Sequence, residues 1–290
     1  ATTEIYTLSL HDALPIFYMS VRSIAVLTIS AMLIIIFVTN PGDVYIYAFI
    51  SIGVTAITSV LNCIYITKFV SFKKTMPYEF KQYIKPLLVL FTLSLTLSLY
   101  NQTDTFILGF IDESKRQVGA YSVGIKGIDI IIGIMSNLGT VFIPRAAYYY
   151  EQPDKKYFKN LAKYSVNICT FIVVPAIVSM MILSIPICAL ISGNTDLVNN
   201  ADGGYGDSYL VLMTLCFMML TYSLGEIIYG QILLPMKKEK YYLIALIIGV
   251  IVNMGFSIVL GKFVFKDHPS IGVAIGTLIT DFGVFIFLIS

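Results

Sequence analysis

Five ionised side chains lie inside long apolar runs of this sequence, where their types and positions could do chemistry: Asp104, Lys126, Asp129, Glu226 and Asp281. A charge near the centre of a membrane helix costs roughly 2.5–3.5 kcal/mol on insertion scales, so such residues usually line a protein interior or a watery pathway. The chemistry that they indicate is the binding of a charged substrate or the coupling of transport to a cation.

Three of these charges fall within residues 100–144, where a short charged turn at residues 112–116 joins two apolar segments. Asp104 and Lys126 lie seven and eight residues from the predicted helix ends that flank this turn, at residues 111 and 118. At 1.5 Å per residue, this spacing puts both about 11 Å deep, so neighbouring antiparallel helices could bring them together. Lys126 and Asp129 are three residues apart on one helix and can pair.

A polar stripe follows one face of the second segment, because its members recur at three- and four-residue steps. The stripe consists of Gly119, Ser122, Lys126, Asp129, Gly133, Ser136 and Thr140, and the preceding helix adds Ser94, Ser98, Asn101, Gln102, Asp104 and Thr105. One interpretation is a polar translocation surface, in which Lys126 attracts an anionic substrate or releases Asp104 during a cycle. The alternative is a buried ion pair, with glycines that allow helices to approach closely.

Glu226, Asp281 and Arg145 are further candidates on other segments. Each carboxylate is interpreted either as a proton- or cation-coupling group or as a hydrogen-bonded contact between helices. Arg145 ends the polar helix and begins a basic, tyrosine-rich stretch at residues 145–163. That stretch is typical of interfacial anchoring, but Arg145 lies close enough to the polar helix to be a site candidate.

The composition predicts an all-α integral membrane protein that positions these residues on helices. Hydrophobic residues make up 57% of the 290 positions, charged residues make up 12%, and the mean hydropathy is +0.84. A membrane helix needs about 20 mostly apolar residues, and about eight transmembrane helices are predicted: 21–39, 44–67, 86–111, 118–143, 164–191, 208–234, 241–260 and 271–290. We expect Pro144 to stop the fourth helix, and Pro175 and Pro186 to kink the fifth.

The distribution of basic residues supports this order of helices. If the helices alternate in direction, one side of the membrane holds fourteen of the nineteen Lys and Arg residues and the other side holds four, including Lys115. The positive-inside rule makes the side with fourteen cytoplasmic. The loop that contains Asp196, Asp202 and Asp207 is then extracytoplasmic.

The sequence contains little that indicates catalysis or metal binding. The four cysteines lie in apolar runs, without a CxxC pair or a Cys/His cluster. There is no P-loop, G-x-S-x-G or H-E-x-x-H motif. These observations favour a protein that is not an enzyme and has no cofactor and no metal site.

The first sixteen residues, ATTEIYTLSLHDALPI, resemble a translated DNA-sequencing adapter. His11 and Asp12 are therefore left out of any predicted site. We expect the natural protein to extend upstream of Phe17, so that the chain is a fragment.

The order and spacing of several motifs resemble the bacterial polysaccharide flippases, which transport lipid-linked oligosaccharides for O-antigen and capsule. These flippases belong to the multidrug/oligosaccharidyl-lipid/polysaccharide exporter superfamily. The motifs are YNQTDTFILGFI, VGAYSVGIKGIDIIIGIMSNLGTVFIPRAAYYYE, QILLPMKKEK at residues 231–240 and the helix start at residues 271–277.

The resemblance implies a MATE-like transporter of two six-helix bundles around a central cavity that opens alternately to the two sides of the bacterial inner membrane. Residues 17–75 would be the last two helices of the N-terminal bundle, and residues 76–290 the C-terminal bundle. The expected substrate is an undecaprenyl-pyrophosphate-linked oligosaccharide, with Lys126 and Arg145 as candidates to bind its pyrophosphate.

The resemblance also sets the expected partners and the competing functions. We expect contact with membrane lipids, association with the polysaccharide polymerase machinery and no nucleic-acid partner. The rivals are a cation-coupled multidrug exporter or peptidoglycan-precursor flippase of the same superfamily, and, from another class, a membrane enzyme of polysaccharide assembly such as the polymerase.

Overall fold

Long apolar runs dictate the fold, because backbone polar groups in a bilayer must be hydrogen-bonded within their own segment, as a helix allows. The computed structural model describes residues 2–40, 42–67, 80–112, 116–193 and 205–289, and within these ranges every regular element is a helix. The helices are α1 (Thr2–Phe37), α2 (Val44–Ile66), α3 (Phe80–Ile111), α4 (Arg116–Glu151), α5 (Lys156–Ile182), α6 (Ser184–Ser192), α7 (Ser208–Leu215), α8 (Met218–Ile227), α9 (Glu239–Val259) and α10 (Pro269–Ile289). The π-helical segments Ile228–Leu233 and Leu260–Val264 continue α8 and α9. The predicted all-α class is confirmed.

The number of membrane spans differs from the prediction of about eight. Six helices of the described chain are long and apolar enough to cross a membrane, and a seventh span results if the bent pair formed by α7 and α8 crosses as one. The remaining predicted span, α3, is 32 residues long but is not one of these helices. The chain is a multi-pass membrane protein.

Three predicted helix boundaries need correction. Pro144 does not stop the fourth helix, because α4 continues through it to Glu151. The fifth predicted helix breaks at Leu183 into α5 and α6, whereas Pro175 lies inside α5. The sixth bends by 43° between α7 and α8. Proline removes one backbone donor, and in a membrane helix neighbouring groups can compensate for that loss, so its presence alone does not fix a helix end.

The first compact unit, residues 1–79, contains α1 and α2. The Arg22 guanidinium joins them by donating to the Leu61 carbonyl oxygen, 3.0 Å away, and to the Asn62 side-chain oxygen. The rings of Tyr18 and Tyr65 stack beside it with centroids 4.8 Å apart. These contacts hold the two helices as a hairpin. The predicted domain boundary at residues 75 and 76 lies outside the described residues, as do residues 68–79 of the first basic loop and Lys115, Asp196 and Asp202. The third helix begins at Phe80 and not at the predicted residue 86.

The second compact unit, residues 80–290, is organised around α4. Its core contains fully buried side chains from α3, α4, α5, α7 and α10, among them Leu108, Ile128, Val173, Leu212 and Val273. Gly124 and Gly127 let α4 approach α7 closely, since a Cβ atom on either would lie within 3 Å of the Val211 or Leu212 side chain. The opposite face of α4 is therefore the one that is left for polar residues.

Candidate functional site

A cavity of about 410 Å³ in the second unit brings together four of the predicted site residues, Asn101, Asp104, Lys126 and Asp129. Asn101 and Asp104 come from α3, and Lys126 and Asp129 come from α4. Side chains of α8 and α10 complete the wall, including Met218, Tyr222 and Thr277. Ser122 of the predicted polar stripe also lines the cavity.

The rest of the polar stripe does not line the cavity. A Cβ atom on Gly119 would lie 2.7 Å from the Tyr205 ring, so this glycine faces the segment that leads into α7. Thr140 donates to the carbonyl oxygen of Asn137 on its own helix. The polar surface on α4 is therefore shorter than the stripe in the sequence.

Lys126 and Asp129 are exposed on the wall of the cavity. Among the described residues, no ion pair within 4.0 Å joins Lys126 to Asp129 or to Asp104, so the predicted pairing is not formed in this structure. An exposed ammonium group that forms no ion pair within 4.0 Å can bind an anion. The exposed carboxylate of Asp129, one turn away on α4, would repel an anion that lay beside it.

Asp104 is buried and surrounded by oxygen-bearing side chains. The Tyr121 hydroxyl donates to its Oδ2 atom at 2.6 Å, and the Ser257 hydroxyl donates to its Oδ1 atom at 3.5 Å. Beside it, the Asn253 amide nitrogen donates to the Thr277 hydroxyl at 3.2 Å. The Asn253 side-chain oxygen is buried without a partner among the described residues. A carboxylate ringed by hydroxyl and amide oxygens can hold either a proton or a small hard cation.

Asp281 forms a second buried carboxylate site next to the first. Its two oxygens accept hydrogen bonds from the Tyr100 hydroxyl at 2.8 Å and from the Thr221 hydroxyl at 2.5 Å. Asp281, Tyr100 and Thr221 line a small cavity of about 30 Å³. Tyr100 and Tyr222 also line the larger cavity, so the two cavities share these two side chains.

The structure does not bring Glu226 or Arg145 to the wall of the larger cavity. Glu226 is half-buried on α8 and accepts a hydrogen bond from the Ser136 hydroxyl at 3.4 Å. Arg145 is exposed and follows Lys126 by nineteen residues on the same helix. At 1.5 Å per residue it lies about 28 Å away from Lys126 along α4.

The sequence interpretation did not place five groups beside the buried carboxylates, namely Tyr100, Tyr121, Thr221, Asn253 and Ser257. Asn253 could have been found, since it is the one side-chain amide in the apolar run 241–260. The tyrosines could not, because a tyrosine in a membrane segment is as typical of an interfacial belt as of a site. Ser257 is a small residue of a kind common in helix packing.

Comparison with known proteins gives one family. The family model MatE matches residues 89–259, which is more than half of the chain and includes α4 to α9 with most of α3. No curated protein and no solved structure matches the chain.

Proposed function

The chain belongs to the MatE family of membrane transporters, and from that premise we propose that it moves an undecaprenyl-pyrophosphate-linked oligosaccharide across the bacterial inner membrane by alternating access. Its product would be used for O-antigen or capsule biosynthesis. The substrate has a pyrophosphate anion, a sugar part rich in hydroxyl groups and a long apolar chain. The protein must offer a cation and polar side chains to the first two parts, and leave the third in the lipid.

One observation carries this proposal: Lys126 is exposed on the wall of a polar cavity within a membrane-spanning helix. An exposed ammonium group at such a depth requires water or an anion beside it, because hydrocarbon would penalise it. Asn101 and Gln102 on the facing helix line the same cavity and can hydrogen-bond to sugar hydroxyl groups. The cavity therefore suits an anionic, hydroxylated substrate.

The mechanism assigns different tasks to the cation and the buried carboxylates. Lys126 binds the pyrophosphate through a charge-assisted contact. Asp104 and Asp281 are the candidate ion-coupling groups, because each is buried and held by hydroxyl donors rather than by a basic side chain. Loading or release of a proton or cation there changes the charge near Lys126 and with it the affinity for the anion. Arg145 and Glu226 lie outside this cavity, so we assign them no contact with the substrate in this state.

The test is Lys126→Ala in the protein as its host expresses it. We expect surface polysaccharide to fall by about tenfold or more, since hydrogen bonds to charged groups contribute about 1.5–3 kcal/mol and 1.4 kcal/mol is about tenfold in affinity. The matched control is Lys159→Ala, which removes an exposed lysine of α5. Unchanged polysaccharide at an unchanged protein level would reject a role for Lys126 in the cavity.

A cation-coupled multidrug exporter is a second candidate, favoured by the carboxylates Asp104 and Asp129 in the same cavity. Such carboxylates would suit a cationic drug as well as a coupling ion. The two candidates predict opposite phenotypes on deletion of the gene. Loss of polysaccharide with unchanged sensitivity to cationic dyes supports the flippase, whereas sensitivity to dyes with normal polysaccharide supports the exporter.

The expected partners follow from the flippase proposal. Glycosyltransferases make the substrate and a polymerase consumes it, so we propose that the transporter associates with the polysaccharide polymerase machinery in the same membrane. Genes for these enzymes next to its own gene would support this association. An isolated drug-resistance context would contradict it.

A further inference from the structure

Three polar side chains converge on a small pocket in the second unit, away from the buried carboxylates. Ser165 comes from α5, Ser223 from α8 and Gln231 from the π-helical segment that continues α8. Each is at most 3% exposed. The pocket has a volume of about 20 Å³, and most of the remaining wall is apolar and comes from α4 and α5.

The polar atoms at this pocket have no nitrogen or oxygen partner within the described part of the chain, and Ser223 has only the weakly interacting Cys169 thiol beside it. This holds for the hydroxyl oxygens of Ser165 and Ser223 and for both the nitrogen and the oxygen of the Gln231 amide. An unsatisfied buried polar group costs about 1–3 kcal/mol, and native proteins leave few of them. Four such atoms around one pocket indicate a ligand that hydrogen-bonds to them.

The size and chemistry of the pocket select the ligand. A volume of about 20 Å³ exceeds the roughly 10–15 Å³ that one water molecule needs and leaves no room for a sugar or a phosphate. The Gln231 amide presents both N–H donors and an oxygen acceptor, so a cation would meet the donors and an anion would meet the acceptor. Water, which both donates and accepts, satisfies all four atoms.

We propose that Ser165, Ser223 and Gln231 bind one ordered water molecule, which links α5 to the π-helical segment of the bent span. Segments of this kind inside α-helices often occur at functional sites. Gln231 lies in the π-helical segment Ile228–Leu233, thirteen residues after the start of α8 at Met218. The water completes the hydrogen bonding where two helices of a moving transporter meet, and it does so whichever substrate the cavity carries.

X-ray radiolytic footprinting of the full chain in lipid nanodiscs tests this proposal, because hydroxyl radicals made from a bound water oxidise the side chains beside it. Cys169 lines the pocket and Cys216 does not, although both are buried. We expect Cys169 to be oxidised several-fold faster than Cys216, with ¹⁸O incorporated from labelled water. Equal rates at the two cysteines would overturn the proposal.

The variant Gln231→Leu separates a bound water from solvent that leaks into the pocket. Leucine has a similar volume and no polar atoms, so the water loses two of its four partners and oxidation of Cys169 should fall to the rate of Cys216. Persistent oxidation of Cys169 would contradict a bound water. Ser165→Ala is a second, smaller change with the same expected direction, and the oxidation of buried Cys216 in each variant serves as the internal reference.

Discussion

At the residue scale, two tyrosines determine how the buried carboxylates of the second unit are held. Tyr121 donates to Asp104, and Tyr100 donates to Asp281. Both tyrosine side chains also line the larger cavity. Each therefore contacts a buried carboxylate on one side and the proposed substrate cavity on the other. A change in either hydrogen bond is therefore expected to reach the cavity.

Tyr121→Phe tests this arrangement because it removes one hydroxyl group and keeps the buried ring. The Asp104 carboxylate loses its 2.6 Å donor, and a hydrogen bond to a charged group contributes about 1.5–3 kcal/mol. We expect a lower free energy of unfolding by about that amount, measured by denaturation in detergent, together with weaker transport. Tyr148→Phe, which alters an exposed ring, is the control. Equal stability of the two variants would mean that this hydrogen bond contributes nothing to holding Asp104.

Residue types in the sequence predict the charged members of the site better than the neutral ones. Asp104, Lys126 and Asp129 are conspicuous in apolar segments, and the structure places all three around one cavity. Asn101, predicted from the polar set on the preceding helix, lies there too. Arg145 was predicted by its position at the end of a polar helix, and distance along that helix separates it from the cavity. Hydroxyl groups such as Tyr121 and Ser257 carry no comparable signal, because their role depends on which helices become neighbours.

At the element scale, the close approach of α4 to α7 depends on Gly124. A Cβ atom at this position would lie 2.8 Å from Val211 Cγ1 and 3.0 Å from the Ser208 carbonyl oxygen. The backbone oxygen cannot move aside as a flexible side chain could. Gly133, two turns further along the same helix, would place a Cβ atom in open space.

This difference predicts opposite effects for the same substitution. Gly124→Ala should lower the free energy of unfolding by about 1–3 kcal/mol through overpacking. Gly133→Ala should raise it by up to about 1 kcal/mol, because alanine is the better helix former. Thermal unfolding of both variants in the same detergent checks the prediction. Destabilisation by Gly133→Ala would show that this face of α4 is also tightly packed.

A hydrogen-bonded network joins the beginnings of three helices, α4, α7 and α10. The Gln117 amide donates to Asp207 Oδ2 at 2.9 Å and accepts from the Ser270 hydroxyl at 2.5 Å. His268 Nδ1 lies 2.9 Å from the same Asp207 oxygen. The hydrogen bond to Asp207 and the negative charge of that carboxylate raise the pKa of His268, and Asp267 adds to the effect.

The network predicts a dependence of stability on pH with a definite sign. The pKa of His268 is raised in the folded protein. The contribution of the His268–Asp207 pair to the free energy of unfolding is therefore complete below the pKa of the unfolded chain, about 6.5, and is lost as pH rises through the pKa of the folded protein. The unfolding temperature should therefore fall as pH rises from about 6.5 through the raised folded value, by a small amount because the ring is 57% exposed. His268→Gln should remove this part of the pH dependence, whereas an unchanged pH profile would show that the pair does not stabilise the fold.

The sequence predicted the ends and bends of the helices less well than it predicted the presence of the helices. Pro144 was expected to end α4, yet the helix includes it. The break at Leu183 lies one turn before Pro186, where the sequence predicted a kink, because proline removes the backbone donor to residue 182. The bend between α7 and α8, in contrast, has no proline or glycine at the point where it occurs. Hydrophobic periodicity and length identify a helix, but packing against neighbours decides where it bends.

At the scale of the whole molecule, the second unit has two kinds of exposed surface. Large apolar side chains such as Phe106, Phe110, Phe171 and Leu190 are more than half exposed, as suits contact with lipid. The exposed charges Lys126 and Asp129 instead share the wall of the polar cavity. Composition predicted a membrane protein, but only the packing of the helices shows which surface is polar.

Cysteine accessibility can decide whether this polar surface faces water in the membrane. In a Cys63→Ser background, where the remaining cysteines are buried, Lys126→Cys on α4 and Asn101→Cys on α3 should react quickly with a charged, membrane-impermeant thiol reagent. Ile130→Cys is the matched control, since Ile130 is 60% exposed on the same helix as Lys126 but does not line the cavity. Thiol chemistry requires the thiolate, which forms in water and not in hydrocarbon, so the control should react slowly. If Lys126→Cys and Ile130→Cys reacted at equal rates, the cavity wall would be no more accessible to water than the lipid-facing surface. That result would contradict a role for the cavity in transport.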